Sequence, residues 1–372
     1  MARREITASV STWNVCASSS APENPALDAW LHVADKPDII AVLLVEVVDI
    51  NNPLSYLAGV PNVVGSIFDT QPRLDGLSEP VTAEAAAWEV SLAKHLPNHV
   101  LMARKQQVGN LALVFVAMPL VASCSNARVA AIGTGPLGAG NKGAVGISLG
   151  VHGSTLCLLC AHLAAGTKGP AARNKDVATI VSKLAFPANP QPASGAPTAA
   201  PKPPLSIEAH DFVVWGGDLN YRISLKDEAV HAFVKSTDLA ALAAADELKT
   251  AQAAGQAFAG YDEGALDFLP TYKYDANSDV YDTSAKRRAP AWTDRILWRE
   301  GEHVSSTSYG RHEMRDSDHR PVSAVLRLSV LAGDRGVDAS ALPQPGPCGQ
   351  LAKCVKGCFG GKPEADDYQR LT

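Results

Sequence analysis

Asp38-Ile39-Ile40-Ala41-Val42-Leu43-Leu44-Val45-Glu46 is the stretch on which the architecture turns. It is apolar at every position between its two acids and follows Lys36-Pro37, a pair that closes the preceding element. The run is too short to span a bilayer, which takes roughly twenty apolar residues. It reads as a strand covered on both faces, the kind found in sheets with helices packed against them. A lone buried carboxylate is costly, so Glu46 either meets a cation or donors or reaches solvent at the strand end.

Outward from this run the pattern repeats. Glu5 to Val15 alternates as a strand and ends in Thr12-Trp13-Asn14-Val15, with a short helix over Ala26 to Val33 behind it. Val81 to Leu96 reads as a helix, and Leu101 to Gln107 and Leu111 to Met118 read as strands paired across Gly109-Asn110. Ala144 to Val151, Ser154 to Cys160 and Asp211 to Asn220 are further apolar strands. Helices are expected over Arg173 to Ala185, Lys226 to Val234 and Asp238 to Ala253. Ile296-Leu297-Trp298 and Val322 to Val330 are the last core strands. With 372 residues and 46% hydrophobic content, this alternation gives two ordinary domains or one large α/β sandwich.

The net charge of −5 argues against a protein that coats nucleic acid, so anion binding has to be local. No stretch is long enough for a membrane span, and Met1-Ala2-Arg3-Arg4-Glu5 leads into a strand pattern, which points to a cytoplasmic chain. Seven cysteines in a chain this large do not suggest a disulfide framework, and Cys157 and Cys160 read as small buried apolar groups. Residues 187–204 are rich in Pro, Ala and Ser and read as a disordered insertion that does not split the domain. Residues 332–372 form a tail with Cys348, Cys354 and Cys358 among Lys353, Lys356 and Lys362. Thioacylation with basic attraction to an anionic leaflet and plain disorder both account for it. The terminus Gln369-Arg370-Leu371-Thr372 excludes a prenylation box.

Chemistry gathers at strand ends. Asn14, Glu46, His162, Asp218, Asn220, Asp294, Asp318 and His319 each fall at or beside one, and strand ends on one rim of a sandwich converge. The set suits hydrolysis at phosphorus: oxygen ligands for a hard Mg²⁺, an acid to activate water, and histidines to hold a phosphoryl group. The segment from Pro270 to Arg299 packs Lys273, Lys286, Arg287 and Arg288 with tyrosines, either as a solvated loop or as a wall that holds a polyanion. Gly133 to Gly143 is glycine-rich with Lys142, but no Ser or Thr follows the lysine and a strand follows Gly143, which excludes a nucleotide P-loop.

Six motifs, in this order, closely resemble the catalytic domain of inositol polyphosphate 5-phosphatases. They are Thr12-Trp13-Asn14-Val15, Asn141-Lys142-Gly143-Ala144-Val145, His162-Leu163-Ala164-Ala165-Gly166, Gly217-Asp218-Leu219-Asn220-Tyr221-Arg222-Ile223, Pro290-Ala291-Trp292-Thr293-Asp294-Arg295-Ile296-Leu297-Trp298 and Ser317-Asp318-His319-Arg320-Pro321. That family belongs to the deoxyribonuclease-I-like superfamily of endonucleases, exonucleases and phosphatases. The resemblance implies an α/β (α+β) four-layer sandwich, two packed mixed β-sheets flanked by helices, with the catalytic domain over residues 1–331. By the same resemblance Glu46 and Asn14 would hold Mg²⁺ with Asp318 close by, and Asp218, alongside Asn220, would activate the attacking water. Asp294 would fix His319, and His319 and His162 would bind the scissile phosphate. Tyr272, Lys273 and Lys286, with Arg288 near, would grip a neighbouring 4-phosphate, and Asn141 and Lys142 would help with a phosphate at position 1.

The implied substrate is a phosphoinositide lipid or a soluble inositol phosphate, met at a cytosolic membrane surface by a peripheral monomer that binds no nucleic acid. Two other readings stand beside it: a superfamily nuclease or phosphodiesterase, and an inactive phosphoinositide-binding module. Val45 and Cys16-Ala17 depart from the family pattern. Where Val45 stands, the family has a glutamine whose hydrogen bond would steady the metal-binding glutamate, a loss on the order of tenfold in metal affinity.

Overall fold

β1 (Arg3–Asn14) and β2 (Ile39–Val45) lie side by side in parallel, with Ala8 opposite Ile39 and Asn14 opposite Val45. Around this pair a six-stranded sheet runs in the order β13-β14-β1-β2-β4-β3, where β3 is His99–Gln107, β4 Asn110–Ala117, β13 Val304–Arg311 and β14 Val322–Leu331. A second six-stranded sheet repeats the plan in the order β11-β12-β10-β7-β6-β5. Its strands are β5 (Cys124–Gly133), β6 (Gly143–Val151), β7 (Ser154–His162), β10 (Phe212–Asp218), β11 (Tyr261–Glu263) and β12 (Asp294–Arg299), and a small ladder of β8 (Ala185–Phe186) with β9 (Leu205–Ser206) stands apart. In both sheets the central pair, β1/β2 and β7/β10, is parallel and every other pairing is antiparallel. This computed structural model describes residues 2–18, 21, 26–49, 80–166, 169–187 and 204–333.

Side-chain alternation explains the layers. Ile39, Ala41, Leu43 and Val45 of β2 meet Leu158 and Cys160 of β7 in the core between the sheets, while Ile40, Val42 and Leu44 face outward. The outward set packs with Trp13, Trp30, Trp88 and Leu92 under α1 (Ala26–Trp30) and α2 (Ala83–His95). On the far side Leu159, Ala161, Val213 and Trp215 pack against α3 (Gly169–Lys183) and its neighbours. A strand buried on both faces has no polar face to alternate with, which is why β2 reads as an unbroken apolar run. Truncating Leu43 to Ala in this core costs about 2–5 kcal/mol.

The central strands and long helices fall where the sequence suggests, with ends displaced by a few residues. β5 and β13 had no clear apolar signature because both are edge strands, part-exposed and bulged, at Ser125/Arg128 and Ser306/Ser308. The helix expected over Asp238 to Ala253 is two helices, α5 (Leu239–Ala244) and α6 (Glu247–Ala253); α4 (Asp227–Ser236) precedes them. Asp246 makes the break: its Oδ1 accepts from Lys249 N at 2.9 Å as the cap of α6, and its carboxylate is buried against Arg295 Nη1 at 3.0 Å. Nearly all of residues 187–204 and of the tail from Ala332 lies outside the described residues. Among the described residues no helix is long and apolar enough to cross a membrane.

Candidate active site

Because both central pairs are parallel, the carboxyl ends of β1, β2, β7 and β10 open onto one rim, the place where such sheets bind ligands. Register then assembles the site. Asp218 sits opposite His162 on one side and Asp294 on the other, and Gly143, next to Lys142, sits opposite His162. β14 runs antiparallel to β1, so the residues just before it, Asp318 and His319, arrive beside Asn14. Ser317 Oγ donates to Asn14 O at 2.7 Å, and Trp13 Nε1 donates to His319 O at 3.1 Å. The turn into Asp218 needs Gly217: at φ 140° a Cβ there would lie 1.9 Å from Ala161 O. Glu46 and Asn220 take left-handed backbone, φ 58° and 59°, a strain of about 1–3 kcal/mol each that surrounding contacts must hold.

Asp218 is 3% exposed. Asn14 Nδ2 donates to its Oδ2 at 3.1 Å and Asn220 N to its Oδ1 at 3.0 Å, with His162 Nε2 3.4 Å from Oδ2. Burial alone would raise its pKa. The His162 hydrogen bond and the charges of His162, His319 and Lys142 outweigh burial and hold the carboxyl below its ordinary range. The opposite happens at His319, whose Nδ1 is 2.8 Å from Asp294 Oδ2. Burial would lower this imidazole, but Asp294, then Asp218 and Asp318, push it up to about 9. Asp294 is itself oriented by Thr271 Oγ1 at 2.7 Å and Thr293 Oγ1 at 2.9 Å. Lys142 Nζ contacts His162 Nε2, and burial pulls this amine below its usual value despite Asp218 and Glu46.

Above this floor opens a cleft of about 930 Å³. Of the residues singled out in the sequence, Asn14, Glu46, Lys142, His162, Asp218, Asn220, Tyr272, Lys273, Lys286, Arg288, Asp318 and His319 all line it. Asp294 stands behind His319, fully buried. Asn141 is not in the lining: its Oδ1 accepts from Lys142 N at 3.1 Å, so the amide shapes the loop. The Val45 side chain points into the core between the sheets, away from Glu46. Cys16 lines the cleft mouth and stays a thiol: partial shielding, then Asp318 and Glu46, push it up to about 12.

Arg222 is a lining residue that sequence reasoning passed over. Its Nη2 donates to Asn220 Oδ1 at 2.6 Å, and its guanidinium lies over the Tyr272 ring at 4.7 Å. The His319 imidazole also packs against that ring, with centroids 4.5 Å apart. The available signal was spacing, since Arg222 follows Asn220 by two within one motif. Behind the wall, Tyr274 stacks on Tyr281 at 4.3 Å, Arg320 lies over Tyr274 at 3.8 Å, and Arg311 Nη1 donates to Tyr274 Oη at 2.6 Å. Asp282 ties the basic segment by accepting from Ser284 N at 3.0 Å and Arg288 N at 2.9 Å.

Among the described residues no three His, Cys, Asp or Glu side chains form a ready-made metal cage. What the cleft offers is the Glu46 carboxylate, 24% exposed, near the Asn14 amide and the Asp318 carboxylate. A hard cation that keeps several waters and takes one or two carboxylates plus substrate phosphate fits that donor set. A closed tetrahedral zinc site does not.

The model of endonuclease/exonuclease/phosphatase family 2 matches residues 11–325. The chain belongs to this family. Its relatives within the family include synaptojanin of Caenorhabditis elegans, 40% identical over 256 residues, which cover 67% of this chain and 22% of that protein. Another is type I inositol polyphosphate 5-phosphatase 4 of Arabidopsis thaliana, 42% identical over 240 residues, 62% of this chain and 43% of that one. The chain thus spans about a fifth of the first relative's length and under half of the second's. A solved structure, the inositol polyphosphate 5-phosphatase domain of spsynaptojanin in complex with inositol (1,4)-bisphosphate and calcium ion, superposes with a TM-score of 0.71 at 30% identity. That match covers 96% of this chain and 93% of that one. The two mixed sheets and flanking helices are therefore those of the inositol polyphosphate 5-phosphatase domain, as the motifs implied.

Proposed function

We propose that this chain is a Mg²⁺-dependent phosphomonoesterase that removes the 5-phosphate from phosphoinositides such as phosphatidylinositol 4,5-bisphosphate, from soluble inositol polyphosphates, or from both. One observation carries the reading: the pair Asp218–His162 and His319, backed by the buried Asp294, form the floor of a single cleft whose wall bears Tyr272, Lys273, Lys286 and Arg288. The complex of the spsynaptojanin domain with inositol (1,4)-bisphosphate and calcium supports the substrate class and a divalent cation.

In this reading Asp218, held ionised, orients the attacking water by accepting its hydrogen bond and receives its proton as the new P–O bond forms. Asn14 and Asn220 fix the carboxylate so that one lone-pair direction faces the water. His319, kept protonated by Asp294, directs its Nε2 hydrogen at a phosphoryl oxygen, where charge accumulates as the bond to the inositol oxygen breaks. Lys142, whose Nζ contacts His162 Nε2, supplies further positive charge on the same side. Glu46 and Asn14, with Asp318 near, would hold Mg²⁺, which when bound offers Lewis-acid stabilisation of the phosphoryl oxygens. The inositol oxygen takes a proton from solvent as it leaves, Asp218 returns its proton to solvent, and the products are inorganic phosphate and the inositol hydroxyl.

Phosphate release from phosphatidylinositol 4,5-bisphosphate and inositol 1,4,5-trisphosphate, measured beside nicking of plasmid DNA, tests the reading. Release with Mg²⁺, its loss in Glu46→Ala, and intact plasmid are expected. Release that survives chelation of divalent ions overturns the mechanism, and plasmid nicking would favour a nuclease. With the proposal goes a cytoplasmic monomer acting peripherally at membranes, which fractionation after substitution of Cys348, Cys354 and Cys358 would probe.

A further inference from the structure

On the basic wall of the cleft, Lys273 differs from Lys286 and Arg288 in having its charge already claimed. Its Nζ is hydrogen-bonded to and ion-paired with Asp318 Oδ2, whereas Lys286 and Arg288 have no ion pair among the described residues. Both partners are only partly covered, with side chains 23% and 18% exposed, so a ligand in the cleft can reach the pair. Asp318 also faces the reaction centre: its Oδ1 lies 3.9 Å from His319 Nε2 and 3.5 Å from Ser317 Oγ. The ammonium thus has one anion now and would have two competing for it once a phosphate reached the wall.

We propose that Asp318 is a specificity-determining residue: it holds Lys273 until the phosphate next to the scissile one displaces it, and the freed carboxylate then raises the cleft's affinity for a divalent cation. The inference deepens the phosphoinositide reading and rests on it. An ion pair of this kind lowers the free-state affinity for both ligands, because the phosphate must compete with Asp318 and the cation must approach a carboxylate neutralised by an ammonium. Breaking the pair serves both ligands at once, so each strengthens the other by the same factor. A ligand without the adjacent phosphate leaves the pair closed and gains nothing.

The test measures binding, not turnover. Mn²⁺, followed by electron paramagnetic resonance, is titrated into the full chain alone, with inositol 1,4-bisphosphate, and with inositol 1-phosphate; neither compound carries a 5-phosphate to be hydrolysed. Mn²⁺ affinity should rise about fivefold or more with the bisphosphate and stay constant with the monophosphate. Asp318→Asn should abolish that rise and, in the presence of chelator, bind the bisphosphate several-fold more tightly than the wild type, since Lys273 is then unclaimed. Lys273→Met approaches the pair from the other side. It should bring ligand-free Mn²⁺ affinity near the ligand-bound level, while Lys286→Met, the same charge change without an ion pair, should not.

Equal or weaker metal-free binding in Asp318→Asn, or coupling that persists in it, overturns the proposal even if phosphate release is normal. If the wild type neither binds the bisphosphate nor releases phosphate from inositol 1,4,5-trisphosphate, the functional reading falls and this inference with it.

Discussion

Asp218 on the floor of the cleft is 3% exposed and meets Asn14, Asn220 and His162, whereas Lys286 on the wall is exposed and its segment is tied down through Asp282 and the stacked Tyr274 and Tyr281. The floor is set by sheet register, so its groups are in place before any ligand arrives. The wall places its charge on a loop whose backbone is pinned but whose tips meet water. Preorganised, dry groups act on the transition state, and exposed cations act mostly on binding. Substitutions on the floor should therefore cut kcat, and substitutions on the wall should raise KM. A floor variant that changed only KM would break the contrast.

The largest effect should come from Asp218→Asn, which keeps the shape and removes the base. We expect kcat for phosphate release to fall about 10²–10⁴-fold, with KM little changed and the circular dichroism spectrum intact. Asp294→Asn should come next. Without its carboxylate partner the His319 imidazole loses the main cause of its raised pKa, and kcat should drop by about 10²-fold while inositol 1,4-bisphosphate still binds. Comparable losses in KM for either variant would mean that the floor binds substrate as much as it drives the reaction.

Much of this contrast was legible in the sequence, because burial and chemistry leave different traces. β2, β7 and β10 announce themselves as apolar runs, and each delivers a polar residue, Glu46, His162 or Asp218, where the run stops. Edge strands such as β5 and β13 leave no such trace, since half of their backbone and side chains meet solvent or loops. Asp246 was hidden in an alanine-rich run, where nothing local distinguishes an internal helical aspartate from a cap that also binds Arg295, 49 residues away. Pairings across the rim were out of reach for the same reason. Arg222 over Tyr272 and Lys273 against Asp318 depend on how two loops approach, and no periodicity records that. Asn141 shows the converse: its residue type suits phosphate, yet it lies outside the cleft lining, with its Oδ1 accepting from Lys142 N.

The wall offers a milder test. Lys286→Met removes one exposed charge that no ion pair holds among the described residues, and a charge-assisted hydrogen bond is worth about 1.5–3 kcal/mol. KM for inositol 1,4,5-trisphosphate should rise about tenfold with kcat nearly unchanged, and the preference over a substrate lacking the 4-phosphate should shrink in proportion. An equal rise in KM for both substrates would assign Lys286 to general attraction of anions and would take the 4-phosphate away from this wall.

The smallest effect at neutral pH, and the one that asks how firmly the floor is anchored, concerns His312. Its backbone N donates to Pro321 O at 2.8 Å, closing the segment that carries Asp318 and His319, and its Nε2 lies 2.7 Å from Ser323 Oγ. His32 Nε2 reaches the same hydroxyl at 2.8 Å, and its Nδ1 is 3.0 Å from Asp35 Oδ2. The hydroxyl has a single proton, so at most one ring can accept from it and at least one must donate to its oxygen. Burial, then the charge of His32, lowers His312 to about 4. The folded pKa thus lies below the unfolded value near 6.5, and between the two the unfolded chain binds the extra proton. Stability from this group is fully present above about pH 6.5 and is lost as pH falls towards 4, on the order of 3 kcal/mol in all. Thermal melts from pH 7 to pH 4 should show that decline, and His312→Gln should flatten it while leaving kcat at pH 7 close to the wild type. Parallel declines in the two proteins would move the acid sensitivity to another buried imidazole, with His210, also lowered by burial, the first to examine.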